Sequence, residues 1–182
     1  MSRIHVCSLA RIEDTITRTG ARSLVTLINV DTPVPRPSGI APEGHLFVGI
    51  SDITDPMDGH IHPQERHVAE LLEFVRRWDR SAPMLIHCYA GVSRSTAAAF
   101  ITACALEPER SEAEFAEAIR TASPTATPNA RLVAVADAML GRQGRMVEAV
   151  ERMGRGDDCY EGVPFMLDLA RVDAPRHLER LA

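Results

Sequence analysis

Short apolar runs in the first half of the chain predict the strands of a sheet. Runs rich in β-branched residues occupy positions 4–7, 23–28 and 45–50. A shorter run at 84–86 contains no polar residue, which is typical of a strand that is buried on both faces. The proline-rich stretch 31–43 is predicted to be a loop between the second and third strands.

Apolar side chains at helical spacing predict six α-helices. These helices lie between Ser8 and Gly20, from Pro63 to Trp78, over 97–106, from Ser111 onward, over 132–140 and over 146–153. Ser8 and Ser111 are expected to be N-caps, and Glu114 completes a capping box with Ser111. The strand, helix and strand at the start of the chain predict a βαβ unit and a partly parallel sheet.

Composition and charge are those of a globular protein without a basic face. The 182 residues are 45% hydrophobic and 25% charged, with a net charge of −5, so a nucleic-acid partner is not expected. No apolar segment at the N-terminus resembles a signal peptide, and no run is long enough to cross a bilayer, so no membrane partner is expected. The four cysteines lack the spacing of disulfide frameworks or zinc sites, and we therefore expect a cytoplasmic protein.

The candidate chemistry lies between the strand at 84–86 and the helix at 97–106. Cys88 follows the strand, and five residues separate it from Arg94 and Ser95. A loop that leads from a strand into a helix N-terminus points successive N–H groups at one site, where an oxyanion binds. The same field favours the thiolate form of a cysteine, and an arginine can hold two phosphate oxygens at once. These features predict chemistry on phosphate esters.

The residues His87-Cys88-x5-Arg94-Ser95, with Gly91 between them, resemble the signature loop of the cysteine-dependent protein tyrosine and dual-specificity phosphatases, here of a bacterial kind. The resemblance implies a three-layer α/β fold of the phosphotyrosine-phosphatase type, with helices on both sides of a mostly parallel sheet. It also implies a phosphocysteine intermediate, no cofactor and no metal. The residues it assigns to phosphate binding are Tyr89, Ala90, Gly91, Val92, Ser93 and Arg94.

Each polar residue of the motif has an expected role. Cys88 is the candidate nucleophile, and Arg94 is expected to bind the equatorial oxygens of the phosphate. Ser95 resembles the family's hydroxyl that stabilises the departing thiolate, and it could also cap the helix. His87 is expected to support the loop from behind, and Gly91 to adopt a backbone conformation that other residues resist.

A carboxylic acid must supply a proton to the leaving oxygen. In these phosphatases the acid follows a strand some thirty-odd residues before the cysteine, where this chain has Asp52, Asp55 and Asp58. The strand at 45–50 leads directly into Ser51 and Asp52, which favours Asp52. Asp55 stays a candidate, whereas Asp58 and Gly59 together are typical of a turn.

The segment from Arg120 to Asn129, with prolines at 124 and 128, resembles the element that follows the signature helix in dual-specificity phosphatases. It implies that Asn129, and with it Arg120, braces the signature loop. The alternative is that Asn129 only caps the next helix. Two histidines at 60 and 62 could bind a metal, but no further ligands cluster near them in the sequence.

We therefore predict a phosphatase-like catalytic domain over 1–156, followed by a tail over 157–182 that docks on it. Its substrate would be a phosphorylated protein or a small phosphomonoester, and phosphate, sulfate or vanadate would occupy the loop. Two other functions remain open: a catalytically weak module that binds phosphoproteins or oxyanions, and a sulfurtransferase of the rhodanese type. The loop interior lacks lysine, which favours phosphoproteins over inositol lipids as substrates.

Overall fold

Five strands form one sheet at the centre of the computed structural model, which describes residues 2–170. The strands are β1 (Arg3–Ser8), β2 (Ser23–Ile28), β3 (His45–Gly49), β4 (Met84–Cys88) and β5 (Phe165–Asp168). Their spatial order is β3-β2-β4-β1-β5; the first four run parallel, and β5 pairs antiparallel with β1. The predicted α/β fold with a mostly parallel sheet is confirmed.

The described residues also form six α-helices, which cover both faces of the sheet. They are α1 (Ile12–Thr19), α2 (Glu65–Arg76), α3 (Arg94–Leu106), α4 (Glu112–Ala122), α5 (Ala130–Met139) and α6 (Arg145–Met153). Helix α1 packs on one face, and α2 to α6 form the larger layer on the other. No helix among these is long and apolar enough to span a membrane.

The first three residues of strand β4 are apolar because both faces of the strand are covered. Leu85 packs with Ile12 and Leu24 on the α1 side, whereas Met84 and Ile86 belong to the larger core on the other side. Side chains alternate between the two faces of a strand, so a strand buried on both sides carries no polar face. The central position of β4 fixes its carboxyl end, and with it the start of α3, in the middle of one sheet edge.

Three features of the fold differ from the sequence prediction. Ser8 is the last residue of β1, and its hydroxyl donates to the Glu161 carboxylate at 2.6 Å instead of capping α1. Helix α2 begins two residues after Pro63, because Gln64 and His67 form a reciprocal capping box there. The apolar stretch 163–167, which had no assigned structure, contributes to the edge strand β5. The remainder of the predicted tail, 171–182, lies outside the described residues.

Candidate active site

The loop between β4 and α3 is held by hydrogen bonds to its carbonyl groups. The carbonyls of Tyr89, Ala90 and Val92 accept from the backbone N–H groups of Leu9, Gly162 and Thr127, at 3.1, 2.9 and 3.0 Å. In a planar trans peptide the next N–H points away from the carbonyl. The N–H groups of residues 90, 91 and 93 therefore face away from these neighbours, as an oxyanion-binding loop requires.

Gly91 is required at its position by both conformation and space. Its φ is +76°, in the left-handed region that side chains rarely adopt. A Cβ added there would lie 2.8 Å from the backbone carbon of Cys7 and 2.8 Å from the nitrogen of Ser8. The end of β1 therefore packs directly against the loop backbone, which only glycine permits.

Cys88 and Ser95 lie side by side at the base of this loop. The Cys88 Sγ is 3.1 Å from the Ser95 Oγ, and both residues are buried. Cys88 ends β4 and Ser95 lies in the first turn of α3, and this strand-to-helix turn brings the two side chains together. A hydroxyl at this distance can donate to a thiolate.

His87 supports the loop from inside the sheet. Its Nδ1 lies 3.3 Å from the carbonyl oxygen of Cys88, and its Nε2 lies 2.8 Å from the Thr26 hydroxyl, which also contacts His45. Burial lowers the pKa of His87 to about 4. The imidazole is therefore neutral at physiological pH and acts as a structural brace.

The Arg94 guanidinium is fixed in place, but its Nε donor is unpaired within residues 2–170. Its Nη1 donates to the Asn29 Oδ1 at 2.9 Å and to the Ile50 carbonyl at 2.8 Å. Its buried Nε has no hydrogen-bond partner among the described residues, and the nearest Asp52 oxygen is 3.9 Å away. An unpaired buried N–H is unfavourable, and a bound oxyanion would give it a strong acceptor.

Asp52 lies against the same loop. Its Oδ1 accepts hydrogen bonds from the Ser93 Oγ at 2.7 Å and from the Asn129 Nδ2 at 2.9 Å. The Oδ1 of Asn129 accepts from the Leu132 backbone N–H at 3.0 Å and so caps α5. Asn129 therefore has both of the contacts that the sequence presented as alternatives, a bond to the site and a helix cap.

Other predicted residues lie apart from the thiol. The exposed Asp55 accepts a hydrogen bond from the hydroxyl of Thr54, and it does not line the cavity that contains Cys88. Arg120 binds the carbonyls of Pro124 and Gly154, so it braces the connector that follows α4 and has no recorded contact with the signature loop. No group of three or more histidine, cysteine or acidic side chains within residues 2–170 is arranged to hold a metal ion.

A cavity of about 590 Å³ brings the site together. It is lined by the candidates Cys88, Arg94 and Asp52, by His60, and by three residues to which the sequence gave no role in the site: Asn29, Thr32 and Cys159. Asn29 directly follows β2, the strand beside β4, so its place at the carboxyl edge of the sheet was a usable signal. Cys159 belongs to the predicted tail, and no local pattern in the sequence indicates that it approaches the loop.

Comparison with known proteins agrees with this geometry. Residues 55–125 match the sequence model of the family described as protein-tyrosine phosphatase, a segment that includes Cys88 and Arg94 but not Asp52. A search of curated proteins gave no significant match.

The fold is similar to that of solved phosphatases. DUSP15 shares 19% identity, with 85% of this chain and 94% of that chain covered and a TM-score of 0.60. Human DUSP28 shares 21% identity, with 76% and 94% covered and a TM-score of 0.58. The PTP-2 phosphatase of Cydia pomonella shares 18%, with 74% and 84% covered and a TM-score of 0.58. The segment 55–125 therefore resembles the protein-tyrosine phosphatases in sequence, and the fold of the chain resembles that of the dual-specificity phosphatases.

Proposed function

We propose that the chain hydrolyses phosphomonoesters of the protein tyrosine or dual-specificity type through a phosphocysteine on Cys88. The observation that carries the proposal is that Cys88 lines one cavity with Arg94, whose buried Nε has no hydrogen-bond partner in the described part of the chain. A phosphate in this cavity would meet the arginine, the loop N–H groups and the nucleophile together.

In the first step, the Cys88 thiolate attacks phosphorus and a sulfur–phosphorus bond forms. The bond between phosphorus and the ester oxygen breaks, and that oxygen takes a proton from the Asp52 carboxylic acid. Arg94 and the loop N–H groups stabilise the charge on the equatorial oxygens. The dephosphorylated alcohol or phenol then leaves.

In the second step, water attacks the phosphocysteine. The Asp52 carboxylate takes one proton from this water, the sulfur–phosphorus bond breaks, and inorganic phosphate and the Cys88 thiolate are released. Ser95 supports this step because its hydroxyl, 3.1 Å from the sulfur, can donate to the developing thiolate. The cycle requires no cofactor. Because it needs a reduced thiol, we also propose a reducing compartment such as the cytoplasm.

Asp52 is the better candidate for the acid. It contacts the loop residue Ser93 and lines the same cavity as Cys88, whereas Asp55 accepts a hydrogen bond from the neighbouring Thr54 and does not line that cavity. Asn129 holds Asp52 from the side of α5 and is therefore proposed as a positioning residue.

The substrate class follows from the loop and the cavity. The loop interior carries no lysine, which fits a singly phosphorylated side chain better than a polyphosphorylated lipid headgroup. We propose phosphorylated proteins and small phosphomonoesters as substrates, with phosphate, sulfate and vanadate as ligands of the same loop.

The experiment is an assay of an aryl phosphate with a good leaving group and of a phosphotyrosine peptide, both with a chelator present. Cys88→Ser should abolish turnover, whereas Cys159→Ser, the same change at an exposed cysteine on the wall of the cavity, should retain it because the proposed steps do not use Cys159. Asp52→Asn should lower kcat on the peptide by roughly 10²- to 10⁴-fold, and less on the aryl phosphate, because a good leaving group needs little proton transfer. Asp55→Asn is the matched control.

Each contrary result has a defined meaning. If Asp55→Asn shows the larger loss, the mechanism stands and the acid assignment is wrong. A wild type that binds vanadate but hydrolyses neither substrate would be a binding module. Activity that survives Cys88→Ser, or that the chelator abolishes, would contradict the phosphocysteine mechanism.

A further inference from the structure

The segment 156–162, here called the C-terminal strap, crosses the signature loop. At one end the N–H groups of Gly156 and Asp157 donate to the Thr127 hydroxyl and the Pro124 carbonyl, both at 3.0 Å. At the other end the Gly162 N–H donates to the Ala90 carbonyl at 2.9 Å. The strap is therefore fixed at both ends against elements that surround the phosphate-binding loop.

The end of the strap fits closely against the loop. A Cβ added to Gly162 would lie 3.1 Å from the Gly91 carbonyl oxygen, so a side chain there would require the loop to shift by a few tenths of an ångström. The neighbouring Glu161 carboxylate accepts from the Ser8 hydroxyl at 2.6 Å and pairs with Arg11 at 3.4 Å. These contacts join the strap to the end of β1 as well as to the loop.

A second cavity of about 340 Å³ lies beside the catalytic one. Its lining is mostly apolar, with Leu9 and Ala10 on one side and the strap residue Tyr160 on the other. Tyr89 and Ala90 line both cavities, so the two adjoin at the signature loop. Tyr160 is fully exposed and Tyr89 is 66% exposed, which leaves their rings accessible to a ligand.

We propose that this second cavity, here called the Tyr89–Tyr160 groove, binds a large apolar side chain of the phosphoprotein substrate, one or two residues from the phosphorylated residue. Consecutive Cα atoms lie about 3.8 Å apart, so a residue this near the phosphorylated one reaches a cavity that adjoins the catalytic cavity. Exposed aromatic rings bind apolar side chains over a large contact area.

The charges in the groove agree with an apolar occupant. Glu161 is the acidic residue of the lining, and its carboxylate is already bound by Ser8 and Arg11. The groove therefore has no unpaired carboxylate among its described residues that would require a basic side chain. The inference rests on the proposed phosphatase activity, so the test measures the peptide preference of the groove separately from turnover.

The test compares phosphopeptides that are identical except for one residue beside the phosphorylated one, which is leucine, serine, aspartate or arginine. An aryl phosphate has no such neighbour and reports the chemistry alone. Wild type should hydrolyse the leucine peptide with a kcat/KM roughly 5- to 10-fold above that of the serine peptide, the size expected for burying about 50 Å² of apolar surface.

Tyr160→Ala should reduce this preference to less than about twofold, mainly through KM, while its aryl phosphate kinetics match wild type. Because the Tyr160 side chain is fully exposed, its removal should leave the core and the stability of the protein unchanged. Val163→Ala is the matched control, because Val163 is also exposed but does not line the groove, and it should keep the preference.

Binding of the same peptides to Cys88→Ser, measured by fluorescence anisotropy, tests the groove without turnover. A leucine preference in binding supports the groove even if wild type proves inactive, and inactivity toward the aryl phosphate would then count against the proposed function alone. Equal binding of all four peptides, or a leucine preference that survives Tyr160→Ala, would overturn the groove. A preference for the arginine peptide would overturn the apolar occupant and assign the groove to basic side chains. If Tyr160→Ala changed only the sedimentation coefficient of the protein and not its peptide preference, the groove would be assigned to a second copy of the chain.

Discussion

Burial keeps the His87 ring neutral, and the hydrogen-bond chain through Thr26 fits the neutral ring. The Nδ1 of His87 faces the Cys88 carbonyl, so it must carry the proton, and the neutral ring then has a bare Nε2. Thr26 donates its hydroxyl proton to that nitrogen and accepts from the Nε2 of His45. A second proton on His87 would leave Thr26 between two donors, with its own hydroxyl proton unpaired.

This arrangement predicts a loss of stability as the pH falls. The His87 pKa is about 4 in the folded protein, against a usual value of 6.5, so the unfolded chain binds a proton first on acidification. The stabilisation is complete above pH 6.5 and is lost progressively as the pH falls toward 4. Between pH 7.5 and 5.5 this linkage removes about 1.3 kcal/mol, and its full extent is about 3 kcal/mol.

Urea unfolding at the two pH values measures the effect. His87→Gln removes the titrating group, so the pH-dependent loss should be smaller in this variant by about 1.3 kcal/mol, since the contributions of other groups cancel in the comparison. An NMR titration of the His87 ring in wild type gives the pKa directly and needs no variant. A pKa near 6.5, or equal pH dependence in both proteins, would refute the reasoning.

Two further substitutions test the loop and its support. Gly91→Ala should lower the free energy of unfolding by about 2 to 4 kcal/mol, because of the left-handed backbone and the overlap with Cys7 and Ser8. Gly20→Ala has the positive φ without the overlap and should lower it by about 1 kcal/mol. Equal losses in urea unfolding would contradict the close packing of β1 on the loop. Asn129→Ser keeps a capping oxygen for α5 but removes the amide that donates to Asp52. We expect kcat/KM to fall about 10-fold for a substrate with a poor leaving group and less for one with a good leaving group, at nearly unchanged stability. Equal losses of kcat/KM for both substrates would argue against a positioning role.

Local sequence patterns were sufficient to predict the central strand, the signature loop and the helix that follows it. The apolar run of β4, the loop with Gly91 and the helix-forming residues of α3 each have their own signal, and these three elements contain Cys88, Arg94 and Ser95. Asp52 could be ranked above Asp55 because it directly follows the run that forms β3. Parallel strands place their carboxyl ends at one edge, so both signals pointed to the same site.

Contacts between distant parts of the chain could not be predicted in this way. The bond from Arg94 to Asn29 spans 65 positions, and the bond from Ser8 to Glu161 spans 153. Ser8 shows the consequence: its sequence context is that of an N-cap, but its hydroxyl donates a hydrogen bond to the Glu161 carboxylate of the strap. The strap and β5 have weak local patterns. The position of β5 depends on pairing with β1, and that of the strap on hydrogen bonds to Ala90, Pro124 and Thr127, which a local pattern does not specify.

The central claim is a covalent phosphocysteine on Cys88, and trapping it is the most direct test. Enzyme mixed with a phosphotyrosine peptide is quenched in acid within milliseconds to seconds, digested and examined by mass spectrometry. Ser95→Ala should slow release of the thiolate and increase the trapped fraction. We expect phosphate on the peptide that contains Cys88, in wild type and more strongly in Ser95→Ala. Steady turnover with no phosphate on Cys88 in either protein, or with phosphate on another residue, would contradict the mechanism.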